Sequence, residues 1–392
     1  MRKVSFGLAV GFVLAACGGE PEPPKTPATP APTMTAAPTT TASAEPPKEE
    51  PKKASFAEMQ TKTMMGFAEA LNAHDSKKIS SFYTPNAVQK VSGAPADFTG
   101  PDQIAAGYQK MFDAFSNFKT APNRIFKKDD VVVVEWAFTG THSGDLWGIK
   151  ATEKPVGANG VDVFWFDKDS GLIKEHHVYY DGATTLSQIG VSKQKARPIP
   201  TLATTMPAPI EPKGTPEETK NVDSFKAMNA ALENKKEADF LANVSDTVEY
   251  DDYTMPQTMK GKAEAKKFFK EMTTAFPDAK VTVNNAWGFG DFVVAETNWT
   301  GTNKGAFMGM PATKKSINMK GVDVYQYKDG KFVHGWSYSN GAEFMQQMGL
   351  MPTPKPAGDK AATPAKPGDK PATTKSAEKP ADKPAAKPAD KK

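Results

Sequence analysis

The stretch GVDVF at residues 160–164 recurs as GVDVY at residues 321–325, which is 161 positions further along the chain. The stretch GTHSG at residues 140–144 recurs at the same offset, as GTNKG at residues 301–305. Blocks that repeat in one order and at one offset are the sequence signature of a duplicated structural unit. The sequence therefore predicts two copies of one domain. The copies are placed at residues 55–195 and 215–351.

Each copy begins with helical patterns and ends with strands. Apolar residues from Phe56 to Leu71 recur at three- and four-residue steps, which predicts an amphipathic helix over residues 56–73. Residues 215–218 (TPEE) open the second copy with a capping box and a proline at the first helical position. Helices followed by strands predict an α+β fold, with the helices against one face of a curved antiparallel sheet. The strands are predicted at residues 131–141, 160–166 and 174–180, with equivalents at 292–302, 322–327 and 332–339.

The chain has 392 residues and a net charge of +4, and this charge is unevenly distributed. The tail at residues 352–392 has ten lysines against five acidic residues, so the rest of the chain is close to neutral. A near-neutral folded part excludes a basic core that binds nucleic acid. The single cysteine, Cys17, excludes a disulfide scaffold and a metal site built from several cysteines. We therefore expect no nucleic-acid partner and no metal site.

The N-terminus resembles the signal of a bacterial lipoprotein. Arg2 and Lys3 precede an apolar stretch at residues 4–13, which is too short to span a membrane. Residues 14–17 (LAAC) resemble a lipobox, which implies that Cys17 is lipidated and anchors the chain in the cell envelope, and Gly18 favours the outer membrane. The alternative is a plain secretory signal with an incidental cysteine. The remaining segments are expected to be a signal peptide with lipobox (1–17), a disordered Pro/Thr/Ala tether (18–54), a Pro-rich linker (196–214) and a disordered Lys/Pro/Ala tail (352–392).

Both copies resemble the SnoaL-like polyketide cyclase and ester cyclase group of the nuclear-transport-factor-2-like superfamily. The resemblance rests on GTH at residues 140–142 with Gly148 downstream, and on GLIKEH at residues 171–176, which runs to Asp181 and to QIG at residues 188–190. It implies a cone-shaped domain, a bent sheet wrapped around helices and open at one end. The superfamily includes cyclases, isomerases, hydratases and binding domains without activity, so the fold alone does not assign a function.

The resemblance implies a catalytic site in the first copy. In the cyclase-like enzymes an Asp at the end of the last strand is the general acid/base, and Asp181 stands at that place. An apolar pocket raises the pKa of a carboxyl group by desolvation, which suits a base that removes a proton next to a carbonyl. His142 or Tyr179 would donate a hydrogen bond to the resulting enolate, and neither a metal nor an organic cofactor is required. Alternation places Glu175, His177, Tyr179 and Asp181 on one strand face.

The second copy departs from this pattern. Asn340 replaces Asp181, Asn303 replaces His142, and Trp336 replaces His177. Since an amide cannot take up the proton, we expect the second copy to be a non-catalytic binding or structural domain. The candidate ligand-lining residues in the two copies are Trp136, Phe138, His177, Tyr179, Trp299, Trp336 and Asn340.

Simpler roles remain open for the same residues. Asp181 precedes Gly182 at a strand end and also suits a turn. His142 also fits a hydrogen-bonded position in the structure, and the tryptophans fit core positions.

Two functions remain open at this stage. The first is a membrane-anchored envelope lipoprotein whose two domains bind a small apolar ligand or a partner protein. The second is a cofactor-free ester cyclase or isomerase in which the first copy uses Asp181. With either function, the two copies are expected to pack together as an intramolecular pseudo-dimer.

Overall fold

A computed structural model of the protein describes residues 54–351. The predicted lipobox at Cys17, residues 18–53 of the predicted tether and the predicted tail at 352–392 lie outside the described residues. Within residues 54–351, no helix has the length and apolar character needed to cross a membrane.

Domain 1 runs from Phe56 to Gln188 and begins with two helices, and its third helix lies between the second and third strands of its sheet. Ser55 caps the first helix through a capping box with Glu58, which fixes where that helix begins. The elements are α1 (Phe56–Asn72), α2 (Ser76–Ser80), β1 (Tyr83–Val91), β2 (Phe98–Thr99), α3 (Gly100–Ala114), β3 (Lys119–Lys128), β4 (Val131–Thr141), β5 (Pro155–Phe166), β6 (Ile173–Tyr180) and α4 (Gly182–Gln188).

Domain 2 runs from Pro216 to Gln347 and repeats the same order of elements. Thr215 caps its first helix through a capping box with Glu218, as the sequence predicted. The elements are α5 (Pro216–Glu233), α6 (Glu237–Leu241), β7 (Val244–Asp252), β8 (Met259–Lys260), α7 (Lys262–Ala275), β9 (Lys280–Phe289), β10 (Phe292–Thr302), β11 (Ser316–Lys328), β12 (Lys331–Tyr338) and α8 (Gly341–Gln347).

Each domain has one six-stranded sheet, and the two sheets have equivalent strand orders: β2-β1-β6-β5-β4-β3 and β8-β7-β12-β11-β10-β9. Strands β3 to β6 form an antiparallel meander, but β1 pairs with β6 in parallel, and β7 pairs likewise with β12. The sheets are therefore mixed, and the prediction of an antiparallel sheet was wrong on this point. The long connection from β1 to β6, which includes α3 and the meander, makes a parallel pairing possible.

The sequence prediction also missed the first three strands of each domain. Proline interrupts two of them in domain 1, at Pro85 in β1 and at Pro122 in β3. Proline cannot donate to a sheet ladder, and the pairing of β3 shifts its register directly after Pro122. Proline explains only these two omissions, because the equivalent strands β7 and β9 of domain 2 contain none.

Each sheet has two buried faces. One face packs on the helices of its own domain and forms that domain's core. The other faces of the two sheets pack against each other in a shared core, which contains valines from both domains, among them Val133 and Val324. The shared core is formed by Phe126, Val131, Val133, Val161, Val163, Tyr179, Phe289, Val294, Val322, Val324 and Tyr338.

Two buried glutamates link the domains across the shared core, at equivalent positions of β4 and β10. The Tyr338 hydroxyl of domain 2 donates to Glu135 Oε1 of domain 1 at 2.6 Å. The Tyr179 hydroxyl of domain 1 donates to Glu296 Oε1 of domain 2 at 3.0 Å. The two contacts are related by the internal repeat, so the domains meet through matching surfaces.

Candidate functional site

A cavity of about 510 Å³ lies mainly in domain 2, between its helices and the sheet face that they cover. Ala183 of domain 1 and Gln194 and Lys195 of the segment that follows it also line the cavity. This volume is within the range of small-molecule sites in proteins. Eight methionines contribute to its wall. Its aromatic walls come from Phe240, Phe268, Trp299, Phe307, Phe332 and Phe344.

One part of this cavity is polar, and strand alternation explains why. In β11, Val322 and Val324 are fully buried in the shared core. Successive strand residues alternate between the two faces, so Asp323 and Tyr325 face the cavity on the other side of the sheet. The neighbouring strands add Thr297 from β10, Tyr250 and Asp252 from β7, and Ser337 from β12.

Asp323 has a pKa well above that of an ordinary aspartate. Burial raises its pKa to about 6, and the nearby negative charge of Asp252 adds to this effect. Hydroxyl groups of Ser337, Thr297 and Tyr250 favour the charged form and offset part of the rise. The Thr297 hydroxyl donates to Asp323 Oδ2 at 3.3 Å. A carboxyl with such a pKa exchanges its proton near neutral pH.

Asp252 is the second carboxylate of the cavity. Burial raises its pKa, while the Thr254 backbone N–H and hydroxyl, at 2.9 and 2.7 Å from Oδ1, work in the opposite direction. Domain 2 thus places two carboxyl groups of raised pKa in one cavity. The sequence prediction considered only positions equivalent to those proposed in the first copy, so it did not identify these two carboxyl groups.

In domain 1 the position equivalent to Asp323 has a basic partner from the chain itself. Asp162 Oδ2 lies 3.4 Å from His176 Nε2. The His176 ring is fully buried, stacks on Phe164 at 4.1 Å between ring centroids, and has its Nδ1 at 2.7 Å from the Tyr83 hydroxyl. Domain 2 has Gly335 in place of this histidine, and a Cβ there would lie 2.5 Å from Tyr250 Cδ2.

Asp181 caps a helix. Its carboxylate accepts hydrogen bonds from the backbone N–H groups of Ala183 and Thr184 at 3.1 and 2.8 Å, which makes it the N-cap of α4. It also accepts from Gly341 N–H in domain 2, at 2.9 Å. Burial raises its pKa, whereas the Thr184 side chain and these backbone donors lower it. The cavity beside it measures about 10 Å³, which is room for no more than one water molecule.

Asn340 has the equivalent position and the equivalent role. Its side-chain oxygen accepts from the backbone N–H groups of Ala342 and Glu343 and caps α8. Its amide group donates to the Ser92 carbonyl of domain 1 at 2.9 Å. The residue pair that distinguished the two copies in the sequence therefore has one shared role, in helix capping and in contact between the domains.

His142 is fully buried, and its Nδ1 lies 3.0 Å from the Thr152 hydroxyl. Its backbone also pairs with the segment at residues 152–154. In domain 2, Asn303 accepts from Thr313 N–H at 2.6 Å and so links the same two segments. Neither His142 nor Tyr179 is a hydrogen-bond partner of the Asp181 carboxylate, whose donors are backbone N–H groups.

The predicted ligand-lining residues lie on three different surfaces. Trp299 lines the cavity of domain 2, whereas Trp136 and Phe138 pack in the core of domain 1. His177, Tyr179 and Trp336 lie on the other side of their sheets, against the other domain. His177 Nδ1 is 2.7 Å from Glu296 Oε1, and Trp336 stacks under the Arg124 guanidinium at 3.5 Å. Glu175, His177 and Tyr179 share one face of their strand, as predicted from alternation. This face packs against the sheet of domain 2.

The sequence reasoning missed Asp323, Asp252, Tyr250 and Tyr325. A usable signal was present in GVDVY, because an acidic residue between two buried valines must face the other side of the strand. That side is also buried in a sheet covered by helices, so the acid must face either a partner or a cavity.

Comparison with known proteins agrees with this architecture. The model of a family described as SnoaL-like polyketide cyclase matches residues 62–189 and 223–348, together more than half of the chain. A solved structure described as a SnoaL-like polyketide cyclase from Jannaschia sp. CCS1 is 20% identical, with a TM-score of 0.33, and the match covers 35% of this chain and 97% of that one. IdmH from Streptomyces antibioticus, described as a polyketide cyclase, is 23% identical, with a TM-score of 0.30 and coverage of 33% and 98%. No curated protein matches the chain. The protein belongs to the SnoaL-like polyketide cyclase family, and the family domain occurs in it twice.

Proposed function

We propose that domain 2 is a receptor for a small, mostly apolar molecule. The observation that carries this proposal is the cavity of about 510 Å³, with aromatic and methionine walls and one polar part around Asp323. Apolar walls with a few convergent polar groups are the usual composition of small-molecule sites. Methionine side chains adapt their shape easily, which suits a wall that closes around a ligand.

Domain 1 has a supporting role in this proposal. In domain 1, His176 lies next to Asp162, the residue equivalent to Asp323. Its ring packs between Phe67 and Phe164 in the domain core. The sheet of domain 1 covers the valines of domain 2 that would otherwise face water. In this arrangement the chain acts as an intramolecular pseudo-dimer in which one half binds and the other half stabilises.

The proposal is tested by filling the cavity. Ser337 lines it, so Ser337→Phe is expected to abolish binding of a neutral fluorescent probe such as N-phenyl-1-naphthylamine, measured by fluorescence titration. Ser316→Phe is the matched control, because Ser316 lies at the exposed start of β11 and not in the cavity wall. Circular dichroism checks that both variants fold. Equal probe binding by wild type and Ser337→Phe would refute the location of the site.

A second candidate function is cofactor-free proton transfer at the same place. The observation that favours it is the pKa of Asp323, raised to about 6 inside a cavity that also contains the Tyr250 and Tyr325 hydroxyl groups. Such a carboxylate can remove a proton next to a carbonyl, and a tyrosine hydroxyl can stabilise the enolate. Deuterium exchange into a bound ketone, lost in Asp323→Asn, tests this candidate. Exchange that survives the substitution would exclude Asp323 as the base.

The cellular location proposed for this receptor is the bacterial cell envelope, anchored through lipidated Cys17. The support is the LAAC sequence at residues 14–17 behind an apolar stretch. Cys17→Ser is expected to move the protein from the membrane fraction to the soluble fraction of its host cell. Retention in the membrane fraction would contradict the proposed anchor.

A further inference from the structure

The carboxylates in the cavity of domain 2 have no basic partner. Among residues 54–351, neither Asp252 nor Asp323 forms an ion pair within 4 Å. Arg197 is the closest charged influence on Asp252, but its guanidinium pairs with Asp251 and with the backbone carbonyl of Asp252. Burying carboxylates without a cation costs free energy, so the two carboxylates of the free cavity lack a countercharge.

In the first domain, the counterpart of Asp323 lies next to a basic side chain. Asp162, the counterpart of Asp323, has the imidazole of His176 at 3.4 Å. At the position of that histidine domain 2 has Gly335, so the chain supplies no basic nitrogen there. The comparison within one molecule identifies the missing group as a basic nitrogen.

The walls of the cavity also suit a cation with an apolar body. Tyr250 and Tyr325 lie beside the two carboxylates, and Trp299 and Phe332 line the same cavity. Aromatic faces attract organic cations, most strongly where water is excluded. The methionines provide polarisable apolar contacts for the rest of the ligand.

We propose that the ligand of domain 2 is an amine with an apolar body, whose ammonium group pairs with Asp323 and Asp252. This inference rests on the proposed receptor function and adds the charge of the ligand to it. The ammonium group takes the electrostatic role in domain 2 that His176 has in domain 1, and the apolar body lies against the aromatic and methionine walls.

The other charged and titratable groups around Asp323 are few. Asp252 and Tyr250 face it from β7, and Tyr325 is its neighbour on β11. Lys320 and Lys195 also contribute to the cavity lining, and both are exposed. Since Asp323 takes up a proton as the pH falls towards 5, amine binding is expected to weaken between pH 7.5 and pH 5.

Three probes of one shape test the inference: 1-naphthylmethylamine, 1-naphthalenemethanol and 1-naphthoic acid, titrated into the full chain by calorimetry at pH 7.5. We expect the amine to bind at least tenfold more tightly than the alcohol, because a charge-assisted hydrogen bond is worth more than a neutral one. The acid is expected to bind most weakly. An alcohol that binds as tightly as the amine would overturn the inference while leaving the receptor function intact. Absence of binding by all three would instead count against the receptor function.

Variants then locate the charge. Asp323→Asn, which keeps the shape of the side chain, is expected to reduce amine affinity tenfold or more and to leave alcohol affinity within about threefold. Asp252→Asn gives an independent second test with the same expected pattern. Asp162→Asn at the equivalent position of domain 1 is the matched control, and it is expected to leave the affinity for both probes unchanged. Equal losses for amine and alcohol in both cavity variants would refute a charge-based contact.

Discussion

Asp162 and Asp323 stand at equivalent positions of the two domains and have different neighbours. Asp162 faces a buried imidazole, whereas Asp323 faces a cavity and shares it with a second carboxyl group. A difference of one residue, His176 against Gly335, accompanies this change. The two halves of the repeat therefore differ at this site in whether a basic side chain lies next to the carboxylate.

The raised pKa of Asp323 has a consequence for stability. The folded protein keeps this proton up to about pH 6, whereas the unfolded chain loses it near pH 4. Since the pKa of Asp323 is higher in the folded protein than in the unfolded chain, protonation of Asp323 stabilises the fold. This stabilisation is fully present below about pH 4 and is lost as the pH rises through 6. Asparagine does not titrate, so Asp323→Asn does not lose stability in this way as the pH rises. We expect the variant to gain on the order of 1–3 kcal/mol in free energy of unfolding relative to wild type between pH 4 and pH 7.5.

Urea unfolding at both pH values measures this gain. Asp239→Asn on the exposed surface of α6 is the control and is expected to show no change with pH relative to wild type. A constant difference between Asp323→Asn and wild type at pH 4 and pH 7.5 would contradict a raised pKa at this site.

At the scale of elements, the helix caps explain why Asp181 and Asn340 are equivalent. Each caps the short helix that follows the last strand of its domain, through two backbone N–H groups. Aspartate and asparagine are both strong N-cap residues, so the exchange between the copies preserves the local structure.

This role makes a prediction for Asp181. Asp181→Asn is expected to keep the cap of α4, as asparagine does for α8, but its amide group cannot replace both carboxylate oxygens as acceptors, so the free energy of unfolding is expected to fall less than in Asp181→Ala. Asp181→Ala is expected to lower it by about 1–2 kcal/mol through loss of the cap. Thermal unfolding measures both changes, and probe binding is expected to remain at the wild-type level. A loss of activity or binding in Asp181→Asn that exceeds the loss of stability would support a functional role for Asp181.

The strands show how far sequence reasoning reaches at this scale. Predicted strand 131–141 coincides with β4, and 292–302 coincides with β10, because each begins with four apolar residues in a row. The parallel pairing of β1 with β6 was not predictable from alternation, since it depends on how the chain crosses the domain.

The cavity was missed for a related reason. Alternation tells which residues share a face, but only packing tells whether that face meets helices, a second sheet or empty space.

At the scale of the whole molecule, the two sheets share a core and two buried glutamates. Glu135 is paired with Arg124 of its own domain and with Tyr338 of the other domain. Glu296 is bonded to Asn285 of its own domain and to His177 and Tyr179 of the other domain. The contacts of Tyr338 and Tyr179 are equivalent in the two domains. The contact of Arg124 with Glu135 and that of His177 with Glu296 each occur at only one of the two glutamates.

Removing one hydroxyl tests the contribution of this interface. Tyr338→Phe is expected to lower the free energy of unfolding by about 1–2 kcal/mol, because it removes a buried hydrogen bond to a charged group. Tyr179→Phe is the matched variant at the equivalent position and is expected to have an effect of similar size. Urea unfolding measures both. Two variants as stable as wild type would show that these contacts add nothing to the shared core.

The shared core also affects how the two halves can change over time. In a homodimer made from one short gene, every substitution appears on both sides of the symmetry axis at once. Here the two domains are different segments of one polypeptide, so one domain can have a buried histidine where the other has a cavity. Covalent fusion of the halves therefore removes the constraint of symmetry and leaves a scaffold and a specialised partner within a single chain.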